Sequence, residues 1–313
     1  MKHLFLINPV AGRGKNEPMI RSAAERFRDH YSLQEGTDFE IKVSQKPGDI
    51  TAWVRQAAET GQELRVYACG GDGTLNEAVN GAAGFSNVAL TNVPCGSGND
   101  FLRQFSDPKA FCHILRYMDN PDEVEVDLIR CDEKYAINVC SLGLDARIGT
   151  EVTTYKKLPL VKGHGAYLLS SLVNTIKGVH HPYRVEVNGE TMEGAYTMIC
   201  VCSGAWYGGG FHPIPEADPS DGKLDVLLVT GVSRLKVLSV IGPYKEGRFR
   251  EFPELIRYLR TDRIRVTCQQ PEPVNLDGEK YIAQTAEFTI APQKLRFFHP
   301  KTAKPLWKLP VTV

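Results

Sequence analysis

Short apolar runs alternate with stretches of helical periodicity over the first 118 residues. The apolar runs that predict buried strands occupy residues 3–7, 39–43, 66–69 and 88–90. Between them, apolar residues recur at helical spacing and predict helices over residues 17–29, 49–60 and 74–83. Because strands that alternate with helices form parallel sheets, this part of the chain is predicted to be an α/β domain.

The pattern changes near Pro121, where the period of the apolar residues falls to two. The alternating runs that predict strands cover residues 124–130, 135–141, 183–187, 196–202, 224–229, 264–268, 274–276 and 286–290. One helical stretch at 166–176 interrupts them, and Asn188-Gly189 is a strong hairpin signal. We therefore predict a second, antiparallel domain that forms a β-sandwich or a barrel. The predicted boundaries are 1–122 for the α/β domain, 123–296 for the β-sandwich and 297–313 for a tail that packs back on the first domain.

Composition narrows the classes of function. Lysine plus arginine and aspartate plus glutamate both number 37, and this balance argues against a nucleic-acid binder, which needs a basic excess. The eight cysteines show no zinc-site spacing, as expected of reduced core cysteines in a cytoplasmic protein. No signal peptide pattern is visible, and no apolar run approaches the roughly 20 residues of a membrane span, so any membrane contact is expected to be peripheral.

The most informative stretch is Gly70-Gly71-Asp72-Gly73-Thr74, which lies between a predicted strand and a predicted helix. Thr74 and Glu77 have the spacing of a capping box, which predicts that the helix begins here. A glycine turn at a helix N-terminus presents backbone N–H groups and a positive dipole, and this combination suits a phosphate. Asp72 would repel that phosphate unless a cation lay between them, so we predict a nucleotide-phosphate site with Mg²⁺. The alternative is that Asp72 only caps the turn.

Two further glycine turns follow predicted strands. The turn at 8–15 is basic, and it is not a P-loop because Pro9 and Asn16 replace the required glycine and hydroxyl residue. The turn at 96–100 lacks the third glycine of a dinucleotide fingerprint, and its Asp100 is either functional or an ordinary helix cap. Since the carboxyl ends of parallel strands meet at one sheet edge, the three turns are expected to converge.

Two acidic turns fall in the second predicted domain. Asp218, Asp221 and Asp225 surround an Asp-Gly step and form either a polar turn or a hard-cation site. An EF-hand is excluded because Val229 stands where that motif needs a glutamate. The segment Asn275-Leu276-Asp277-Gly278-Glu279 is either a hairpin turn or a carboxylate pair that can activate a hydroxyl.

Basic residues cluster in two places that are candidates for contact with a lipid surface. Lys156, Lys157 and Lys162 flank a short apolar run. The second cluster, at 244–260, combines aromatic residues with Lys245, Arg248, Arg250, Arg257 and Arg260. For both clusters the alternative is an ordinary solvated face.

With these motifs together, the sequence resembles the diacylglycerol kinase catalytic family, which includes soluble bacterial lipid kinases and the sphingosine and ceramide kinases. The matching segments are Asn-Pro-x-x-Gly at 8–12 with Lys15, Gly-Gly-Asp-Gly-Thr at 70–74, Gly-x-x-Asn-Asp-Phe at 96–101, Asp-Gly-x-Leu-Asp at 221–225 and Leu-Asp-Gly-Glu at 276–279. Gly-Gly-Asp-Gly-Thr is shared with NAD kinases and 6-phosphofructokinases, whereas the full combination, with the late Leu-Asp-Gly-Glu, is specific. Ser97 departs from the family's more frequent threonine but keeps the hydroxyl.

The resemblance implies an N-terminal α/β nucleotide-binding domain and a C-terminal antiparallel β-sandwich, with the active site between them. The positions it implies for ATP are Asn8, Gly12, Lys15, Ser44, Gly70, Gly71, Asp72, Gly73, Thr74 and Ser97. Asp72 and Asp100 would organise catalytic Mg²⁺ through water. The backbone of Asp218 and Lys223, with the Asp221 carboxylate, would hold a second, structural Mg²⁺. The residues implied in catalysis are Asp72, Asp277 and Glu279, of which the last two match positions tied to activation of the lipid hydroxyl.

Our leading hypothesis is an ATP- and Mg²⁺-dependent lipid kinase that converts diacylglycerol to phosphatidic acid. It would work in the cytoplasm, peripherally associated with the membrane that holds its substrate and without a nucleic-acid partner; a homodimer is compatible with the sequence. The alternatives are a soluble-substrate kinase of the NAD kinase type and a nucleotide- or lipid-binding protein without turnover. The complete set of acidic motif positions disfavours the binding protein, and Leu-Asp-Gly-Glu disfavours the NAD kinase type.

Overall fold

The computed structural model describes residues 1–96, 98–113, 120–148 and 180–309. They belong to two compact units, one of Met1–Leu128 with Ala291–Val313 and one of Ile129–Ile290. The prediction of a parallel α/β domain followed by an antiparallel β-sandwich is confirmed as the fold class. Within the described part of the chain, no helix is both long and apolar enough to cross a membrane.

The first unit is built on one sheet of six strands. These are β1 (Lys2–Ile7), β2 (Phe39–Val43), β3 (Leu64–Gly70), β4 (Val88–Pro94), β5 (Asp122–Val126) and the last strand of the chain, β15 (Leu295–His299). Their order is β2-β1-β3-β4-β15-β5, and every pairing is parallel except that of β15 with β5. The described helices are α1 (Glu17–His30), α2 (Asp49–Ala58) and α3 (Asp72–Ala82), with 3-10 turns at Ala11–Gly14, Phe101–Gln104, Pro108–His113 and Leu306–Lys308.

Stacked aromatic rings fill the core of the first unit. Phe5 of β1 and Tyr67 of β3 are neighbours in register, and their rings stack at 4.0 Å with 5° between the planes. Phe27 of α1 packs against both rings at 5.9 and 6.1 Å. His3 Nδ1 and the Tyr67 hydroxyl are hydrogen-bonded at 2.9 Å, and burial lowers the pKa of His3 to about 4. Large buried side chains therefore fix the register of the strands, and with it the points where their carboxyl-end loops begin.

The second unit is an antiparallel sheet of nine strands. Its strands are β6 (Ile129–Cys131), β7 (Lys134–Ala136), β8 (Val139–Gly143), β9 (His181–Val187), β10 (Glu190–Cys202), β11 (Leu224–Thr230), β12 (Ile256–Thr261), β13 (Arg263–Leu276) and β14 (Glu279–Ile290). The described helical segments are α4 (Arg234–Lys245), a stretch over 144–148 and a 3-10 turn at Phe249–Glu251. Asn188 and Gly189 both have positive φ and connect β9 to β10, as the hairpin signal predicts.

Two long strands organise the second unit. One half of β10 pairs with β9 and the other half with β8, and β13 divides its pairing between the same two strands. Alternate residues of these strands enclose an aliphatic core that includes Leu142, Val185, Ile199 and Val266, all fully buried. The start of β8 is consequently held next to the end of β13.

Several sequence predictions of structure need correction. The run 124–130 is not one strand, because β5 joins the first sheet and β6 the second; alternation alone does not specify the sheet that a strand joins. The observed boundaries accordingly fall after 128 and 290, and not after 122 and 296. The predicted strands 264–268 and 274–276 form the single strand β13, which has an irregularity between Thr267 and Glu272. The sequence patterns miss α4, and the predicted helix 166–176 lies outside the described residues.

Candidate functional site

The three glycine-rich loops of the first unit meet at the carboxyl ends of β1, β3 and β4, as predicted. Asn8 connects the first two loops, since its Nδ2 donates to Thr74 Oγ1 at 3.0 Å. Asn16 connects the first loop to the end of β4, since its Nδ2 donates to the Cys95 carbonyl at 3.2 Å. Gly12 lies against the same carbonyl, where a Cβ would come within 2.5 Å of the oxygen. Side-chain amides therefore join the loops.

The loops after β3 and β4 touch through their backbones. A Cβ on Gly96 would lie 2.5 Å from Gly71 Cα and 2.9 Å from Gly71 N. The Asp72 N–H donates to the Gly98 carbonyl at 3.2 Å. Neither Gly71 nor Gly96 has a positive φ, so these positions require glycine for its size and not for its conformational freedom. The two turns therefore form one continuous backbone surface.

The Asp72 carboxylate stands at this loop junction. Its Oδ1 accepts the Asp100 N–H at 2.8 Å, and its Oδ2 lies beside Gly98, where a Cβ would approach it to 2.4 Å. Asp100 is buried at 4% exposure, and its Oδ1 pairs with Arg103 Nε at 3.0 Å. The structure thus places the Asp72 carboxylate beside the backbone of Asp100, the other residue that was predicted to organise catalytic Mg²⁺, and Asp72 is the more accessible of the two.

The donor set at the junction fits a water-rich Mg²⁺ site. Among the described residues, no three His, Cys, Asp or Glu side chains gather in a way that could hold a metal ion. Mg²⁺ commonly keeps several waters and takes one or two carboxylates plus substrate phosphates as its other ligands. Asp72 and Asp100 supply two carboxylates, the number that such a site commonly takes, and their magnesium role stays a prediction.

The predicted capping box is wrong. Helix α3 begins at Asp72, and its N-cap residue Gly71 offers no side chain. Thr74 instead packs over Gly70, where a Cβ would meet its Oγ1 at 2.1 Å. Glu77 serves the neighbouring helix, since its Oε2 accepts the Ile50 N–H at 3.2 Å near the start of α2. The positive end of the α3 dipole consequently lacks a side-chain cap, which suits an anionic ligand.

The remaining nucleotide positions lie around the same sheet edge. Ser44 follows β2, and its N–H donates to the Ile7 carbonyl at 2.9 Å, immediately before the loop that begins at Asn8. Lys15 and Gly73 are exposed. Ser97 lies outside the described residues, as do Lys156, Lys157 and Lys162 of the first basic cluster.

The turn between β13 and β14 holds the acidic pair of the second unit. Asp277 has a φ of +51°, and its carboxylate accepts backbone N–H groups from Ile137 at 2.6 Å, Asn138 at 3.2 Å and Val139 at 2.7 Å. The Asp277 N–H donates in return to the Val139 carbonyl at 2.9 Å. Asp277 therefore secures the start of β8, whereas Glu279 is exposed at the first position of β14.

A polar chain behind this turn joins Asn275 to Ser141 and Asp145, two residues that the sequence motifs do not include. Asn275 Oδ1 accepts the Gly278 N–H at 2.7 Å, and Asn275 Nδ2 donates to Ser141 Oγ at 3.2 Å. Ser141 donates to Asp145 Oδ2 at 2.6 Å. Burial raises the pKa of Asp145 to about 6, although the Ser141 hydrogen bond acts in the opposite direction. The signal that could have found this chain is polar residues within the apolar run around β8, because buried polar groups need partners.

The carboxylates of Asp218 and Asp221 in the acidic turn at 218–225 have hydrogen-bond and ion-pair partners within the protein. Asp218 Oδ1 accepts from the Ser220 N–H at 2.9 Å and from its hydroxyl at 2.6 Å. Asp221 Oδ1 accepts the Lys223 N–H at 3.0 Å, and Asp221 Oδ2 pairs with Arg260. A structural Mg²⁺ here would compete with Arg260 for that carboxylate. The polar-turn interpretation accounts for these contacts without a cation, and the metal role of Asp218, Asp221 and Lys223 stays a prediction.

Protein-family models match nearly the whole chain. Residues 2–131 match the diacylglycerol kinase catalytic domain, and residues 138–299 match the YegS C-terminal NAD kinase beta sandwich-like domain. A protein named "Probable lipid kinase YegS-like" from Klebsiella pneumoniae (strain 342) is 30% identical over 299 residues, which cover 94% of each chain. A protein named "Diacylglycerol kinase" from Staphylococcus carnosus (strain TM300) is 24% identical over 301 residues, which cover 96% of this chain and 95% of its own.

Solved structures share the fold. The crystal structure of a diacylglycerol kinase from Bacillus anthracis str. Sterne matches with a TM-score of 0.67 at 19% identity, covering 96% of this chain and 97% of the other. An NAD kinase from Archaeoglobus fulgidus in complex with ATP matches with a TM-score of 0.50 at 11% identity, covering 96% and 94%. At these identities the likeness extends to the fold alone.

Proposed function

Because this chain belongs to the diacylglycerol kinase catalytic family of YegS-like lipid kinases, we propose that it transfers the γ-phosphate of ATP to the hydroxyl of diacylglycerol and releases phosphatidic acid. The observation that carries this proposal is the loop junction, where the amino end of α3 lies beside the Asp72 carboxylate. The relative named diacylglycerol kinase supports this choice of acceptor among lipids.

The loop junction suits the donor nucleotide. Backbone N–H groups at the start of α3 and the positive end of the helix dipole stabilise phosphate oxygens. Gly73 is exposed and has no side chain, so phosphate groups can approach its backbone closely. Lys15 is exposed on the neighbouring loop and adds a cation that can neutralise charge developing on the transferred phosphoryl group.

Mg²⁺ is the proposed cofactor, and Asp72 with Asp100 would hold it through water. When bound, it would neutralise part of the charge on the phosphate oxygens. Arg103 lies beside Asp100 and offsets part of the charge of that carboxylate. This assignment gives Asp72 a role beyond the turn-capping alternative, since its side chain also orders the second loop through the Asp100 N–H.

The acceptor hydroxyl must lose its proton as the phosphoryl group is transferred, and a carboxylate can accept that proton. Asp277 uses both carboxylate oxygens to accept backbone N–H groups from residues 137–139, and these bonds take up most of the lone pairs with which it could accept a proton. Glu279 is exposed at the start of β14. We therefore assign proton acceptance to Glu279 and the positioning of the 137–139 segment to Asp277.

A soluble acceptor such as NAD is the second candidate, because the fold is shared with an NAD kinase. The description of the matched C-terminal domain as NAD kinase beta sandwich-like is consistent with that shared fold. The full-length relative named as a lipid kinase favours the lipid acceptor. Since ATP is the proposed donor and diacylglycerol remains in the bilayer, the protein would work in the cytoplasm at a membrane surface.

Incubation with labelled ATP and Mg²⁺, in parallel with diacylglycerol in mixed micelles and with NAD, separates the candidates. We expect labelled phosphatidic acid and no labelled NADP. Asp72→Asn should lower lipid phosphorylation by about a hundredfold or more, with an unchanged unfolding midpoint because Asn can still accept the Asp100 N–H. Labelled NADP without labelled lipid would reject the proposal. Stabilisation by ATP without transfer to any acceptor would indicate a binding protein.

A further inference from the structure

Helix α4 exposes three large apolar side chains, which we call the apolar stripe. Leu235 is 81% exposed, Leu238 is 68% exposed and Ile241 is 43% exposed. Because they are spaced by three residues, they follow one another along the helix surface. Elsewhere on the helix, Val240 and Tyr244 are buried in an apolar cluster of the second unit. Packing of the described residues thus anchors α4 by one side and leaves a second apolar side in contact with solvent.

Positive charge borders the apolar stripe. No aspartate or glutamate occurs from residue 231 to residue 245. Lys236 and Lys245 are both exposed, and neither forms an ion pair with another residue that the structure describes. Their ammonium groups lie 5.7 Å from the Phe252 ring and 5.6 Å from the Phe211 ring, respectively. Charge on this helix is therefore not neutralised by described carboxylates.

Among the residues that the structure describes, the arginines of the basic stretch predicted at 244–260 are paired with carboxylates, unlike Lys236 and Lys245. Its four arginines pair with carboxylates: Arg248 with Glu246 and Glu251, Arg250 with Glu216, Arg257 with Glu190, and Arg260 with Asp221. Attraction to anionic lipid depends on net positive charge close to the surface. Paired arginines supply little of it, so this stretch is a weaker candidate for lipid contact than α4.

We propose that α4 lies on an anionic lipid surface, with the apolar stripe at the level of the acyl chains and Lys236 and Lys245 among the headgroups. Exposed apolar side chains gain free energy when they enter the acyl boundary, and unpaired lysines beside them are attracted to anionic headgroups. The inference deepens the proposed function, since a kinase acting on a bilayer lipid needs such a contact, but lipid binding itself requires no turnover.

Sedimentation with vesicles made of equal parts phosphatidylcholine and phosphatidylglycerol tests the proposal without ATP. The double variant Leu235→Gln, Leu238→Gln should bind between roughly tenfold and a hundredfold more weakly than the parent chain. Ile282→Gln is the matched control, because Ile282 is 51% exposed on β14 in the same unit and does not belong to the apolar cluster that buries Val240 and Tyr244 of α4. This control should bind like the parent. Lys236→Gln and Lys245→Gln should each weaken binding about fivefold on these vesicles, and should have no effect on vesicles of phosphatidylcholine alone.

Three measurements make the result decisive. Equal vesicle binding by the double variant and the parent, with both folded by circular dichroism, would overturn the proposal. Light scattering that shows the parent as a dimer and the double variant as a monomer, with vesicle binding unchanged, would assign the stripe to a second copy of the chain instead. Phosphorylation of a short-chain diacylglycerol in free solution should be equal in the parent and the double variant. Absence of lipid phosphorylation in the parent chain as well as the double variant would therefore count against the proposed function, and not against the lipid-binding role of α4.

Discussion

Gly96→Ala tests the backbone contact that joins the two phosphate loops. A Cβ at residue 96 would lie 2.5 Å from Gly71 Cα and 2.9 Å from Gly71 N, whereas non-bonded carbon atoms settle at roughly 3.5–4.0 Å. Because both contact atoms belong to the backbone, they cannot rotate away, and the loops must separate by about 1 Å. Overpacking of this kind lowers the free energy of unfolding by ~1–3 kcal/mol. A displacement of ~1 Å at an active site can reduce the rate about a hundredfold.

We therefore expect Gly96→Ala to reduce kcat/KM for ATP by about a hundredfold and to weaken ATP binding measured by calorimetry. Gly81→Ala is the matched control, since a Cβ there would lie 2.7 Å from the Thr51 carbonyl oxygen and from Val54 Cβ, at the far end of α3 from the loops. It should lose a similar free energy of unfolding in urea and keep its affinity for ATP. Equal ATP affinity in the two variants would refute the argument that the loop contact forms the phosphate site.

The remaining predictions concern the second unit. Burial raises the pKa of Asp145 from 3.8 to about 6, so the folded chain binds that proton more tightly than the unfolded chain and loses up to about 3 kcal/mol of unfolding free energy as pH rises through this interval. Asp145→Asn should remove that loss when the free energy of unfolding in urea is measured across the interval. The lowered pKa of His3 makes stability rise with pH over a similar interval, but it does so equally in the parent and the variant. Parallel pH profiles of the free energy of unfolding in the two proteins would contradict the prediction. Glu279→Gln should abolish lipid phosphorylation at unchanged stability. Asp277→Asn should abolish lipid phosphorylation and also lower the free energy of unfolding by ~1–3 kcal/mol, because an amide nitrogen would face backbone donors. Full turnover by Glu279→Gln would return the base role to Asp277. If the turn at 218–225 holds Mg²⁺, Tm should rise with Mg²⁺ and Asp221→Asn should remove the rise, whereas a Tm independent of Mg²⁺ favours the polar turn.

The loop junction could be predicted because each of its parts has a local signal. The apolar run of β3, the glycines after it and the periodicity of α3 each span a few residues. A general property of parallel sheets then places the carboxyl ends of β1, β3 and β4 at one edge. The prediction that Asn8, Asp72 and Asp100 share one junction therefore needed no long-range information beyond strand order.

The errors arise where the partner of a residue lies far along the chain. Thr74 and Glu77 have capping-box spacing, but Glu77 bonds to Ile50, which is 27 residues away on another helix. Arg257 looks like part of a basic cluster because its partner Glu190 lies 67 residues earlier. Ser141 and Asp145 are only four residues apart, but their hydrogen bond matters because Asp145 is surrounded by protein, which raises its pKa. The apolar pattern of β8 indicates that burial only in part.

We expect discrimination between a lipid and a soluble acceptor to depend mainly on the second unit. In the first unit, Gly71 and Gly96 act through their size against each other, a requirement that does not depend on the acceptor. In the second unit, Asp277 fixes the backbone that enters β8, and Ser141 on β8 connects through Asn275 to the same turn. Since the same turn carries Glu279 at the start of β14, we expect substitutions in this turn to affect the choice of acceptor more than substitutions at Gly71 or Gly96.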